Sequence, residues 1–275
     1  MNWEHKALLT AMTVALVLIA SRMFGQRIGG LCAGLPVVSA LTLAWLNRDL
    51  GFSFAAQSAT GIATASGASA AFIISYEWLS QRRPATVAFP ISLVPAILLS
   101  FLVASLHVSS IWIFTASIAL CIAGLAWLKD RQVFATPPPP STGASVIISV
   151  TAAGLISAIV TSQSVALGPF HSGLLAALPI AGATIIVNQH LTAGRASLPC
   201  FARGYIAGLV GQATFAEVFS LAIGPNDAGI TLALSLVASV TMAAIATRAI
   251  ARPKRYSAAI SSGTSRPDLR NKIIY

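Results

Sequence analysis

Charge is what this sequence has least of. Only 9% of its 275 residues are charged, against 56% hydrophobic, and the chain carries just seven acidic side chains. That poverty excludes an ordinary soluble domain, which needs about a quarter of its residues charged. Cysteine is equally scarce: Cys32, Cys121 and Cys200 lie far apart in or beside apolar stretches, so no disulfide framework or metal spacing follows. The four histidines, His5, His107, His171 and His190, are dispersed with no i, i+4 pair, which argues against a metal site. There is no Walker motif and no dinucleotide fingerprint behind a strand. Thr64-Ala-Ser-Gly67 has the outline of an intramembrane serine-protease motif. It lacks the leading glycine and has no histidine at matching depth on an adjacent helix, so no enzyme and no cofactor is expected.

What is present is a succession of apolar runs long enough to span a bilayer. They predict an all-α membrane protein of about nine transmembrane helices: roughly Ala7 to Ala20, Gly29 to Leu46, Phe52 to Trp78, a fourth ending near Leu106, Ile111 to Leu128, Ala144 to Leu167, His171 to Val187, Leu198 to Ile223 and Ile230 to Ile250. No small-x-small cleavage site follows the first run, so it is kept as a span rather than a signal peptide. The third is rich in Ala, Ser, Thr and Gly, which suits a helix packed inside a bundle. The net charge of +10 sits between spans and in the tail, where it reports topology and not nucleic-acid binding. Placing Arg22, Arg27, Arg82, Arg83, Lys129, Arg131 and Arg195 with the basic tail predicts a cytoplasmic C-terminus and an outside N-terminus in the inner membrane. Trp45, Trp78, Trp112 and Trp127 fall near span ends, as interfacial rings should.

One phrase occurs twice. Gly30-Leu-Cys-Ala-Gly-Leu-Pro36 is answered by Gly173-Leu-Leu-Ala-Ala-Leu-Pro179, and Gly25 and Gly168 extend the match upstream at the same offset. Paired hydrophobic segments interrupted by Gly and Pro in two halves of a chain point to a transporter's central site. The polar connector at Lys129-Asp130-Arg131 and Pro137 to Pro140 divides the halves. The expected organisation is a first four-helix repeat over 1–108, a linker helix and Pro-rich cytoplasmic loop over 109–143, a second repeat over 144–251 and a disordered basic tail over 252–275. The odd fifth helix reverses the second unit, so the repeats should be inverted and the motif helices antiparallel, facing one another.

The site expected between them is lined by Gly34, Pro36, Ala177 and Pro179. Glu217 is the one acid well inside a predicted span, and ionisable groups there are functional by default. The alternative for Glu217 is a packing role, hydrogen-bonded to Thr214, Gln212 or a neighbouring helix. Gln212 and Gln57 are the matching polar candidates. His171 stands at the outer mouth, where Ser172 could cap the helix. Asn188 belongs to the turn Asn188-Gln189-His190, the counterpart of Asn47-Arg48-Asp49, where capping and turn formation also explain it. Arg203 either snorkels or faces inward toward an anionic substrate.

Four-helix units duplicated in opposite orientation around an extra helix resemble the drug/metabolite transporter superfamily, which implies export or exchange of small metabolites; its members usually have ten spans. Each repeat, with its Gly-Leu-x-x-x-Leu-Pro helix and Asn/His turn, is also similar to small GlpM-like four-helix membrane proteins. The reading is a secondary transporter of a small metabolite or cation. Its partners would be the lipid bilayer and a small-molecule or ion substrate, with homo-oligomers allowed. The rival reading is a non-transporting membrane subunit supporting envelope or polysaccharide synthesis.

Overall fold

The computed structural model describes residues 25–106, 108–129, 143–224 and 227–250, with a few positions before residue 16. Most of the first expected span, the proline-rich connector and the basic tail lie outside the described residues. Among those described the fold is all-helical, without strands: α1 (Gln26–Gly34), α2 (Val37–Leu50), α3 (Phe52–Ser80), α4 (Ala85–Leu106), α5 (Ser110–Leu128), α6 (Gly143–Ala176), α7 (Ile180–Ala193), a 3₁₀ turn (Arg195–Ser197), α8 (Leu198–Ala222) and α9 (Ala228–Ile250). Six helices among the described residues are long and apolar enough to cross a membrane, α1 and α2 counting together as one.

Apolarity and burial run in opposite directions. The most apolar helix, α4, has a mean hydropathy of 2.4 and only 11% of its most apolar stretch buried. The two least apolar, α3 at 1.2 and α8 (with its leading 3₁₀ turn) at 1.3, are each 78% buried. Without water to drive burial, helices in a bilayer sort by close packing, so the small-residue helices go to the centre and the Leu/Ile-rich ones face lipid. α3 and α8 pack on each other, and every other helix leans on one of the two. One core cluster gathers around Phe72, Tyr76, Phe201 and Tyr205, a second around Leu43, Ile62, Phe215 and Phe219.

Polar groups also bind across the bundle. Ser117 of α5 donates to the Ala63 carbonyl of α3 at 2.9 Å, and it fills the space beside Gly67. Interhelical bonds of this kind average about 0.6 kcal/mol in membranes. Ser117→Ala is therefore expected to lower the melting temperature of the detergent-purified protein slightly, whereas Ser105→Ala should not, because Ser105 is exposed and donates to the Phe101 carbonyl of its own helix.

The motif segments are interrupted at the proline, as expected: α1 ends at Gly34 and α2 begins at Val37, while α6 ends at Ala176 and α7 begins at Ile180. Proline has no N–H to continue the ladder and its ring crowds the preceding turn. The segments are also longer than expected, α2 running to Leu50 and α7 to Ala193. Asn47-Arg48-Asp49 and Asn188-Gln189-His190 therefore lie inside helices, and the chain turns instead at Gly51 and Gly194. Those two glycines, with Gly25 and Gly168, have φ between 74° and 86° and ψ between 166° and 178°. That region is essentially reserved for glycine; at Gly51, Gly168 and Gly194 the helical path breaks sharply, and Gly25 immediately precedes α1.

Candidate functional site

The two breaks have matching geometry. Pro36 has φ −77° and ψ 43°, and Pro179 has φ −77° and ψ 42°. The pairs Gly25 and Gly168, Pro36 and Pro179, and Gly51 and Gly194 are all 143 residues apart. At the first break Leu35 is extended, with ψ 154°, and the Val37 N–H turns back to the Leu35 carbonyl at 2.8 Å. Since Pro36 has no N–H, the carbonyls of Cys32 and Ala33 lose the donors a continuous helix would supply. The second break is tighter, with 3₁₀-type bonds from Ala177 to Leu174 and from Leu178 to Leu175, both 3.3 Å. Irregular backbone at membrane depth is tolerated where protein buries it or where it lines a polar cavity.

Packing around the breaks repeats at the same spacing. A methyl group added at Gly204 of α8 would be driven into the Arg27 carbonyl of α1 and would lie 3.0 Å from Leu31 N. One added at Gly61 of α3 would meet the Phe170 carbonyl and lie 2.7 Å from Leu174 N of α6. Likewise Gly30 faces the Phe201 carbonyl and Gly173 faces the Ser58 carbonyl. In every case the second contact is the first one moved by 143 residues, with the two halves exchanged. The main packing partner of each motif helix is thus the long helix of the other half. Gly34 lies against Tyr205 and Gly208 of α8, while the two motif segments also meet, α2 packing on α6 and Ala177 joining the cluster of Leu43, Ile62 and Phe215. Backbone of the neighbouring helix approaches where these glycines stand.

The polar candidates divide. Gln212 is 5% exposed, and its Nε2 has no hydrogen-bond partner among the described residues. Ser69, at the equivalent position of α3, is 1% exposed. Glu217 is 7% exposed; the rings of Phe215 and Phe219, stacked 6.0 Å apart, lie on the other side of α8. Two of the packing bonds considered for it do not form among the described residues, since Thr214 Oγ1 donates to the Val210 carbonyl at 2.8 Å and Gln212 Nε2 is unbonded. Gln57 does not join this group: it is exposed and reaches only Ser53 on its own helix, 3.4 Å away. His171 is also exposed, edge-on to Phe170 at 5.5 Å. Ser172 is buried and donates to the Gly168 carbonyl at 2.8 Å rather than accepting from the helix start. Asn188 is half-buried, its carbonyl taken by Thr192.

Other functional candidates emerge only in three dimensions. At the far end of α3, Tyr76 bonds His190 Nδ1 of α7 at 3.1 Å. Next to it Glu77, expected at a helix end, is 0% exposed and accepts from Gln81 Nε2 at 3.1 Å. No sequence signal marks Glu77, because what covers the last turn of α3 comes from elsewhere in the chain. Arg203 reaches the end of α5, where its Nε donates to the Leu128 carbonyl at 3.1 Å and caps that helix. Arg27 caps α9 through Thr247, 2.8 Å away, and Arg195 bonds the Gln81 carbonyl beyond α3, 2.8 Å away. Cations at helix C-termini complement both the free carbonyls and the dipole.

The fold and these breaks give the chain the build of an α-helical multi-pass membrane protein with paired discontinuous helices. No family model, curated protein or solved structure matches it.

Proposed function

We propose that the chain is a secondary transporter, an exporter or exchanger of a small metabolite or cation, built as an inverted repeat in the inner membrane with its C-terminus cytoplasmic. The observation that carries this reading is the exchange of equivalent contacts between the halves: broken helix on long helix, twice, 143 residues apart. With nine spans, the second broken helix lies five crossings after the first and runs the opposite way. Two related halves in opposite orientation have two related packings of similar energy, one open to each side, which is the basis of alternating access. Specificity then comes from the backbone freed at Leu35–Pro36 and Leu178–Pro179, with Gln212 and Glu217 as polar groups of the pathway. The architecture resembles the drug/metabolite transporters in this respect.

Proteoliposome flux of a metabolite panel, with and without a pH gradient, tests the reading. Glu217→Gln keeps the shape and removes the charge, and it should abolish the gradient's effect on uptake while leaving exchange in place. Equal response of mutant and wild type to the gradient would remove Glu217 from coupling. Stable co-purification with a synthase, with no flux for any solute, would favour the scaffold instead.

A further inference from the structure

A groove of about 390 Å³ runs along the outside of the bundle between α5, α8 and α9. Val210 of α8, 3% exposed, contributes to its floor, and α5 lines it from Ile118 to Lys129, about 16 Å of helix at 1.5 Å per residue. Its rims carry Ile122 and Ile245, 58% and 51% exposed. α5 and α9 are among the most apolar helices, with mean hydropathies of 2.1 and 2.0, so the groove opens sideways into the hydrocarbon and not toward water. One residue lining it is charged, Lys129, at the end of α5. Around that end Arg203 donates to the Leu128 and Lys129 carbonyls, Arg27 binds beside Arg248 at the Thr247 carbonyl, and Arg248 itself is exposed in the last turn of α9. Asp130, next in sequence, lies outside the described residues.

We infer that this groove is a binding site for an anionic phospholipid, one acyl chain lying along α5 and α9 and the headgroup phosphate held at Lys129 and Arg248. Shape selects a chain from the bilayer. The basic mouth selects the headgroup, since cations near a membrane surface attract anionic lipid and gain nothing from a neutral headgroup. The site is independent of transport: it rests on the membrane-spanning build and on the groove, not on the central breaks.

Native mass spectrometry of the full-length protein in detergent, titrated with phosphatidylglycerol or phosphatidylcholine of identical chains, reads the site directly. Wild type should retain phosphatidylglycerol several-fold better than phosphatidylcholine. Lys129→Gln combined with Arg248→Gln should erase that preference and leave the melting temperature unchanged. Ala246→Phe, or Ile122→Phe if the first variant folds poorly, should fill the groove and remove bound lipid of both kinds. Equal retention of the two lipids by wild type, or an unchanged preference in the double variant, overturns the proposal. So does a groove-filling variant that changes the oligomer's mass and not its lipid adducts, because the occupant would then be a second copy of the chain.

Discussion

Gly204→Ala will destabilise the protein, although alanine is the better helix former. By propensity alone the substitution in the middle of α8 should gain about 1 kcal/mol. Packing opposes it: the new methyl meets the backbone of Arg27 and Leu31, with no flexible side chain to move aside. Overpacking of that kind costs about 1–3 kcal/mol, so the net effect should be a loss, and a larger one for Gly204→Val. Gly61→Ala should behave alike, since its methyl meets the backbone of Phe170 and Leu174 in the equivalent contact. Gly224→Ala is the control, because the nearest neighbouring atom is a Phe52 ring carbon 4.0 Å away, and its effect should stay within about 0.5 kcal/mol. Thermal melts of the three purified variants decide it. If Gly204→Ala and Gly61→Ala melt with or above wild type, the close approach of the halves is not holding the bundle.

The second large effect is expected at the breaks and rests on the transporter reading. Pro36→Ala restores an N–H and relieves the clash that stops α1, so the ladder can run on from Gly34 into Val37. Helix propensity favours this by about 3 kcal/mol. The carbonyls of Cys32 and Ala33 would then be spent inside the helix. At about 1 kcal/mol net for each hydrogen bond, withdrawing two from a solute lowers its affinity roughly 30-fold. Pro179→Ala should follow the same course, more weakly, because the 3₁₀ bonds of Ala177 and Leu178 already occupy part of that backbone. Concentration dependence of flux in proteoliposomes, with helicity measured by circular dichroism, provides the test. Wild-type flux in both variants would make the breaks a packing feature only.

Much of the fold could be read from composition, because a bilayer imposes a single rule on long apolar runs. The ends of α3, α5, α8 and α9 fall close to the expected limits. The third helix was expected at the centre from its Ala, Ser, Thr and Gly content, and α3 is there. α8 has the same character, with Gly204, Gly208 and Gly211 along it, and that stripe could have been read in the same way. The double phrase marked where the helices break. The polar turns were misplaced because Asn and Asp suit turns only when nothing else continues the helix, and here glycines with positive φ end it a few residues later.

The sequence alone determined the membrane-spanning build, the scarcity of chemical groups and the duplication, since each depends on residue type and spacing. Only the tertiary structure decided what the duplicated glycines touch, namely the long helix of the other half. It also separated Gln57 and His171, exposed, from Gln212 and Glu217, buried in α8. It showed Glu77 covered and Arg203 capping α5. These outcomes depend on which faces meet across the bundle, and a glycine carries no pattern that names its neighbour. The close approach it permits is specified by both helices together.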